Sequence, residues 1–175
     1  MMGTGESRDH IGSPAVTGAA AMMAGDRASA GAGLQVMDLG PGTATVTMTV
    51  RQDMANGHGI THGGYVFLLA DTAFACACNG DGQVTVAGGA DITFLAATRP
   101  GDTLIARAQL RAQRGRSGVY DVTVSRCTDG AGEVVAEFRG RSRTLPVTAL
   151  PAIDAEPAPD SASPAGDRPT SGARP

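Results

Sequence analysis

The sequence predicts an α+β domain in which an antiparallel sheet wraps around one long central helix. Six separate segments alternate apolar with polar residues, the period of a half-buried strand. A single segment, residues 63–79, instead carries apolar residues at helical spacing, and it falls after the second strand and before the remaining four.

The first strand covers residues 34–39 and turns through Gly40-Pro41-Gly42 into the second, residues 43–50. There Val46, Met48 and Val50 face one side and threonines the other. The helix follows, with Val66, Leu69, Ala70, Ala73, Phe74 and Ala77 as its main stripe. Phe67, Leu68, Ala75 and Cys78 make the rest of its surface apolar too, so it requires cover on every side. A sheet supplies one cover, and a second subunit is the expected source of the other. Strands at 83–95, 103–112, 118–127 and 133–143 complete the pattern and are expected to form a meander.

Domain organisation follows from composition. A chain of 175 residues accommodates one domain, placed at residues 22–147. Residues 1–21 are rich in Gly, Ala and Ser, and residues 148–175 are rich in Pro and Ala. Both are expected to be disordered, because such segments bury too little apolar surface to offset chain entropy. The mixed charges Glu6, Arg8 and Asp9, and Gly12, Ser13 and Pro14 within the run that follows, argue against a secretory signal. The most apolar stretch is broken by Asp71, so no membrane span is expected. Three cysteines, Cys76, Cys78 and Cys127, do not pair off, which suits a reducing cytoplasm. The net charge of −3 lies in the tails, since acidic and basic residues balance between 21 and 147; nucleic acid is not an expected partner.

Asp71 is the one carboxylate within the apolar helix. At 100° per residue it lies roughly 150° from the centre of the main stripe, and so points away from its own sheet. A charge on a surface that a partner must cover is either paired or used, and both readings stand at this point. The helix begins at His62-Gly63-Gly64, where unpartnered N–H groups suit a developing oxyanion and glycine lets a carbonyl approach. The same glycines also suit a plain loop-to-helix entry. Gly63 and Asp71 are eight residues apart, roughly 12 Å along one helix. They cannot serve one carbonyl within one subunit, so a joint site requires Asp71 of one protomer to face Gly63 of another, with two equivalent sites per dimer.

Asn56-Gly57-His58-Gly59-Ile60-Thr61-His62-Gly63-Gly64, Leu69-Ala70-Asp71-Thr72-Ala73-Phe74-Ala75 and Cys78-Asn79 closely resemble the PaaI-type hotdog thioesterases of phenylacetate degradation. The likeness continues through Gly101-Asp102-Thr103-Leu104, Gly118-Val119-Tyr120-Asp121-Val122 and Phe138-Arg139-Gly140-Arg141-Ser142, covering residues 22–144. It implies a hotdog fold and hydrolysis of acyl-CoA, with a (hydroxy)phenylacetyl or related aryl-acyl group. Asp71 would activate water or attack the thioester directly, and the Gly63 amide would polarise the carbonyl. By the same resemblance His62 orients the thioester or supports the loop, with a capping role as the alternative; Asn56 positions water or the acyl group, with turn stabilisation as the alternative. Gly64 joins the substrate-binding loop, and Arg114, Arg116 and Ser117 are candidates for the nucleotide end of CoA, against a default of solvated surface. No cofactor beyond the CoA of the substrate is implied. A homodimer is required, and family dimers commonly pair into homotetramers. One departure stands out: the family usually carries an Asn where this chain has Gly25, before Asp26, so any substrate contact of that Asn is absent here.

His58, His62, Asp71 and two cysteines raise the option of a metal site. Glycines at 57, 59, 63 and 64 oppose a helix carrying both histidines, and Cys76 and Cys78 point about 200° apart, so no metal is expected. A non-catalytic acyl-CoA-binding module of the same fold is the competing class, and it needs the pocket but not the carboxylate. A hydratase is disfavoured because no second acid or base stands on the helix.

Overall fold

The computed structural model describes residues 14–80, 83–127 and 132–146. Two helices come first, α1 (Pro14–Gly25) and α2 (Arg27–Gly31), then the hairpin β1 (Gln35–Gly40) and β2 (Thr43–Thr49), a 3-10 turn at Gln52–Met54, and the central helix α3 (Gly63–Cys78). The chain ends in β3 (Thr85–Phe94), β4 (Thr103–Arg114), β5 (Ser117–Arg126) and β6 (Glu133–Thr144).

The six strands form one antiparallel sheet in the order β1-β2-β4-β5-β6-β3. The expected meander therefore holds only for β4-β5-β6. The helix α3 packs across the whole sheet and carries the chain to the far edge, where β3 pairs with β6 before β4 returns beside β2. Asn79, the C-cap of α3, fixes the landing point: its Nδ2 donates to the carbonyls of Ala75 and Thr85, both at 2.9 Å, and its Oδ1 accepts from the Thr85 amide at 2.9 Å. Alternation identifies a strand, but not its neighbour.

The expected boundary at residues 21/22 cuts through a helix, because α1 begins at Pro14. Its low-complexity Ala run has high helix propensity, and a proline in the first turn gives up no hydrogen bond. Ala19 is fully buried in the core, so this end of the segment belongs to the domain. The disorder expected for residues 1–13 and 148–175 lies outside the described residues.

The core lies between α3 and the inner face of the sheet. Leu69, Ala70, Ala73 and Phe74 meet Val46 and Met48 of β2, Leu104 and Ala106 of β4, Val122 and Val124 of β5, and Phe138 of β6. The Phe74 ring stands edge-on to Tyr120 at 5.4 Å and tilted to Phe138 at 5.9 Å. Gly140 makes room for it: a Cβ there would come within 2.7 Å of the ring. That clash explains a glycine in the middle of β6, where a side chain otherwise favours the strand. The outer face of the sheet is polar, with Arg139 and Arg111 paired to Asp121 and Arg141 to Asp91.

One face of α3 is only partly covered by the described residues of the protomer, with Phe67 at its border packed edge-on against Phe138 of β6 at 5.3 Å. Gly64 is exposed, and Phe67, Leu68, Asp71 and Ala75 are only half-buried, whereas every other position from Val66 to Cys78 is buried. The expected open, largely apolar face of the helix is present, and Asp71 lies on it.

Candidate active site

The amino end of α3 is held by a chain of local bonds. The loop before it turns at Asn56–Gly59, where the Gly59 amide bonds the Asn56 carbonyl at 3.0 Å and Gly59 adopts φ 72°. Thr61 is anchored twice: its amide donates to the Thr98 carbonyl at 2.8 Å, and its hydroxyl accepts from the Thr98 hydroxyl at 2.6 Å. The His62 amide donates to the Met54 carbonyl at 2.8 Å. His62 is the N-cap, and its Nδ1 accepts the Gly64 amide at 3.0 Å. The Gly64 N–H is thereby used inside the protomer. The Gly63 N–H, at the first helical position, has no partner among the described residues.

That free donor opens onto a groove of about 440 Å3. Asn56, Ile60 and Thr61 line one side with Val66, while Phe94 and Leu95 line the other. The Phe94 ring lies over Gly63, 3.0 Å from where a Cβ would stand, so a side chain at 63 would have to push the tip of this exposed ring aside by a few tenths of an ångström. Phe94 and Leu95 are 52% and 57% exposed, large apolar side chains left open beside a hydrogen-bond donor. Asn56 uses Oδ1 to accept the His58 amide at 2.9 Å, which is the turn-stabilising role weighed for it. The groove has positive dipole character at its polar end and an apolar wall, a combination that suits a carbonyl carrying an apolar acyl group.

Asp71 does not line this groove. Since α3 runs unbroken from Gly63 to Cys78, the two positions remain roughly 12 Å apart along its axis. No hydrogen bond or ion pair reaches the Asp71 carboxylate among the described residues, so it neither caps nor pairs any of them. Burial pushes its carboxyl above the ordinary range, and the nearby Asp26 carboxylate pushes it further the same way. A half-buried acid with no partner among the described residues thus holds its proton more tightly than an exposed aspartate does.

Arg114, Arg116 and Ser117 flank the β4–β5 hairpin turn, where Gly115 adopts φ 57°. Both arginines are exposed, and neither forms an ion pair among the described residues. Strand register puts this turn at the carboxyl end of α3: the Thr144 amide bonds Arg116, Thr144 pairs with Thr85, and Thr85 is tied to Asn79. The structure thus brings Gly63, His62 and Asn56 together at one end of the helix and leaves Asp71 at its middle and the arginines at its other end. Gly25 ends α1 in open space, with no described residue beyond its chain neighbours within 4 Å of where a Cβ would stand. Cys76 and Cys78 are buried, and burial pushes the Cys76 thiol up to about 11, which makes it packing rather than a nucleophile.

Phe94 and Leu95 were not among the expected site residues. Two large apolar residues in succession at a strand end break the alternation that precedes them, and that irregularity is the signal for a groove wall.

A single long helix across an antiparallel sheet is the architecture of the hotdog class of proteins. The family model described as the thioesterase superfamily matches residues 58–133. The acyl-coenzyme A thioesterase PaaI of Escherichia coli strain K12 is 43% identical over 125 residues, spanning 71% of this chain and 87% of that protein. The structure of the E. coli PaaI protein, from the phenylacetic acid degradation operon, superimposes with a TM-score of 0.72 at 42% identity, covering 76% of this chain and 94% of that one. The smu.793 protein of Streptococcus mutans UA159, solved bound to acetyl CoA, matches with a TM-score of 0.60 at 25% identity over 64% of this chain and 88% of that one. The chain belongs to the PaaI-type acyl-CoA thioesterases of the thioesterase superfamily, and it has their hotdog fold. No helix among the described residues is long and apolar enough to cross a membrane.

Proposed function

We propose that this enzyme hydrolyses aryl-acyl-CoA thioesters, with (hydroxy)phenylacetyl-CoA as the leading substrate, at two sites that each combine residues of both protomers of a homodimer. The observation that carries the proposal is the pair of unsatisfied groups on the open side of α3: a carboxylate without a partner and an amide without an acceptor, roughly 12 Å apart on one rigid helix. Antiparallel packing of two such faces brings Asp71 of one protomer toward Gly63 of the other and covers Leu68 and Ala75.

The thioester carbonyl oxygen accepts the Gly63 N–H, with the positive end of α3 behind it. Asp71 takes a proton from water as the water oxygen forms its bond to the carbonyl carbon, and the negative charge gathers on the oxygen held by Gly63. As the C–S bond breaks, the CoA sulfur leaves with the proton held by Asp71, and the acid is released. Direct attack by the Asp71 carboxylate would use the same contacts: the C–S bond breaks, CoA leaves as the thiolate, and water then cleaves the resulting anhydride to the free acid, restoring the carboxylate. Asn56, whose Oδ1 is tied to the turn, offers its Nδ2 to the acyl carbonyl or water, and His62 supports the loop as its cap. Phe94 and Leu95 supply the apolar wall for the aryl group.

In the antiparallel dimer, the Arg114–Arg116 turn of the protomer that provides Asp71 extends toward the partner's amide end, where the CoA phosphates would meet it together with Ser117. No cofactor takes part, the working form is a homodimer that pairs into a homotetramer, and the setting is the cytoplasm. The aryl preference is supported by the open apolar groove and by the operon from which the E. coli relative's structure comes.

Subunit mixing tests the shared site. Asp71→Asn removes the acid, and Gly63→Pro removes the N–H at a helical position that tolerates proline; His62, at φ −62° and ψ 129°, already has the conformation that precedes proline. Each variant alone should be inactive. Refolded together in equal amounts, they should recover about a quarter of wild-type turnover, because half the dimers are mixed and each mixed dimer has one intact site. No recovery from well-folded mixed dimers would overturn the arrangement.

A further inference from the structure

The amino-terminal helices pack against α3, and a short chain of polar side chains joins α2 to it. Asp26 is the N-cap of α2, and its carboxylate accepts the Ser29 amide at 2.9 Å and the Ser29 hydroxyl at 2.6 Å. The Ser29 hydroxyl, fully buried, lies 2.9 Å from the Thr72 hydroxyl, itself buried on α3 next to Asp71. Buried hydroxyls bridging two helices fix the rotation of one against the other, because each would otherwise leave a polar atom unsatisfied. The Asp26 carboxylate therefore stands over the turn of α3 that presents Asp71.

We propose that Asp26 is a positioning residue for Asp71: through Ser29 and Thr72 it fixes the rotation of α3, and its negative charge sets the field in which the catalytic carboxylate exchanges its proton. The inference deepens the reading of Asp71 as the catalytic acid and rests on it. Two groups on neighbouring turns of α3 feel Asp26: it pushes both the Asp71 carboxyl and the Cys76 thiol upward, in each case second to burial. Burial first, and this repulsion second, raise the proton affinity of Asp71, the direction that suits a group which accepts a proton from water and returns it to sulfur.

Other charges facing Asp71 are few among the described residues. The described side chains of α1 include none that titrates, and β2 has none. From α2, Arg27 is exposed and forms no ion pair, and Asp38 of β1 is exposed. The Tyr120 phenol is the one titratable group on the inward faces of β4, β5 and β6, and Asp91 of β3 is tied to Arg141. On α3 itself, Tyr65, Cys76 and Cys78 complete the set.

Asp26→Asn separates charge from structure, because asparagine caps a helix as well as aspartate and keeps an acceptor for Ser29. Asp26→Ser, a second uncharged cap, guards against a misfolded first variant. Two readouts apply to each dimeric variant: the pH dependence of kcat/KM for phenylacetyl-CoA, and titration of the Asp71 carboxyl carbon followed by NMR. Removing the like charge favours the ionised form of Asp71, so the acid limb and the carbon's titration midpoint should both move to lower pH, with thermal unfolding near that of wild type. A midpoint unchanged in both variants overturns the proposal. The NMR titration needs no turnover, so loss of the catalytic reading appears separately, as an Asp71→Asn enzyme that still hydrolyses thioester.

Discussion

The two sides of α3 are made of nearly the same residue types and do different work. Toward the sheet, Leu69, Ala73, Phe74 and Cys76 are sealed at close to zero exposure, and each fills space that another side chain defines. Away from it, Leu68, Asp71 and Ala75 stand half-covered with a charge in their midst. Apolar composition alone therefore does not mark the functional side of a helix; the marker is a polar group whose bonding is left incomplete.

The largest effect should come from the open side. Asp71→Asn should lower kcat by about 10³-fold while CoA binding, measured by calorimetry, remains. Retained turnover would erase the contrast, and loss of binding would move Asp71 from chemistry to recognition. On the sealed side, Phe74→Ala should cost about 3–5 kcal/mol in denaturant unfolding, since the ring packs against Tyr120 and Phe138 in a socket opened by Gly140.

A smaller and signed difference sharpens the comparison. Because the folded Asp71 carboxyl is raised above its unfolded value, its contribution to stability is fully present below the unfolded pKa and is lost as pH rises through the folded one. Asp71→Asn should therefore melt at or above the wild-type temperature at neutral pH, with the difference vanishing in acid. A functional group that costs stability is expected on the open face and not on the sealed one. The smallest effect concerns the hairpin. Arg114→Ala and Arg116→Ala should each raise KM for acyl-CoA a few-fold with kcat unchanged, as exposed charge contacts to phosphate do, and the increase should shrink in high salt.

Most of the sheet and the helix were legible because periodicity is a local property. Val46, Met48 and Val50 declare their shared face within eight residues, and the placement of Asp71 opposite the stripe follows from the helical repeat alone. The edge position of β3 was not legible, because it depends on where α3 delivers the chain and on the Asn79 clamp to Thr85. Nor was α1, whose run of small residues carries helix propensity without a marked apolar stripe. At the site, Gly63 and His62 could be read from the motif, and the capping alternative for His62 proved to be the bond the imidazole makes. The Phe94 contact with Gly63 and the Ser29 contact with Thr72 join residues far apart in sequence, and no spacing rule reports such pairs.

The bond between the Gly64 amide and Nδ1 of His62 has a further consequence. A ring nitrogen that accepts cannot also carry hydrogen, so the neutral imidazole is the Nε2–H tautomer. What the ring turns outward from the loop is then a donor, fit to meet an oxygen on an incoming molecule and unfit to strip a proton from it. In the proposed mechanism one tautomer thereby divides the labour: deprotonation falls to the aspartate, and the histidine is left to hold and to point.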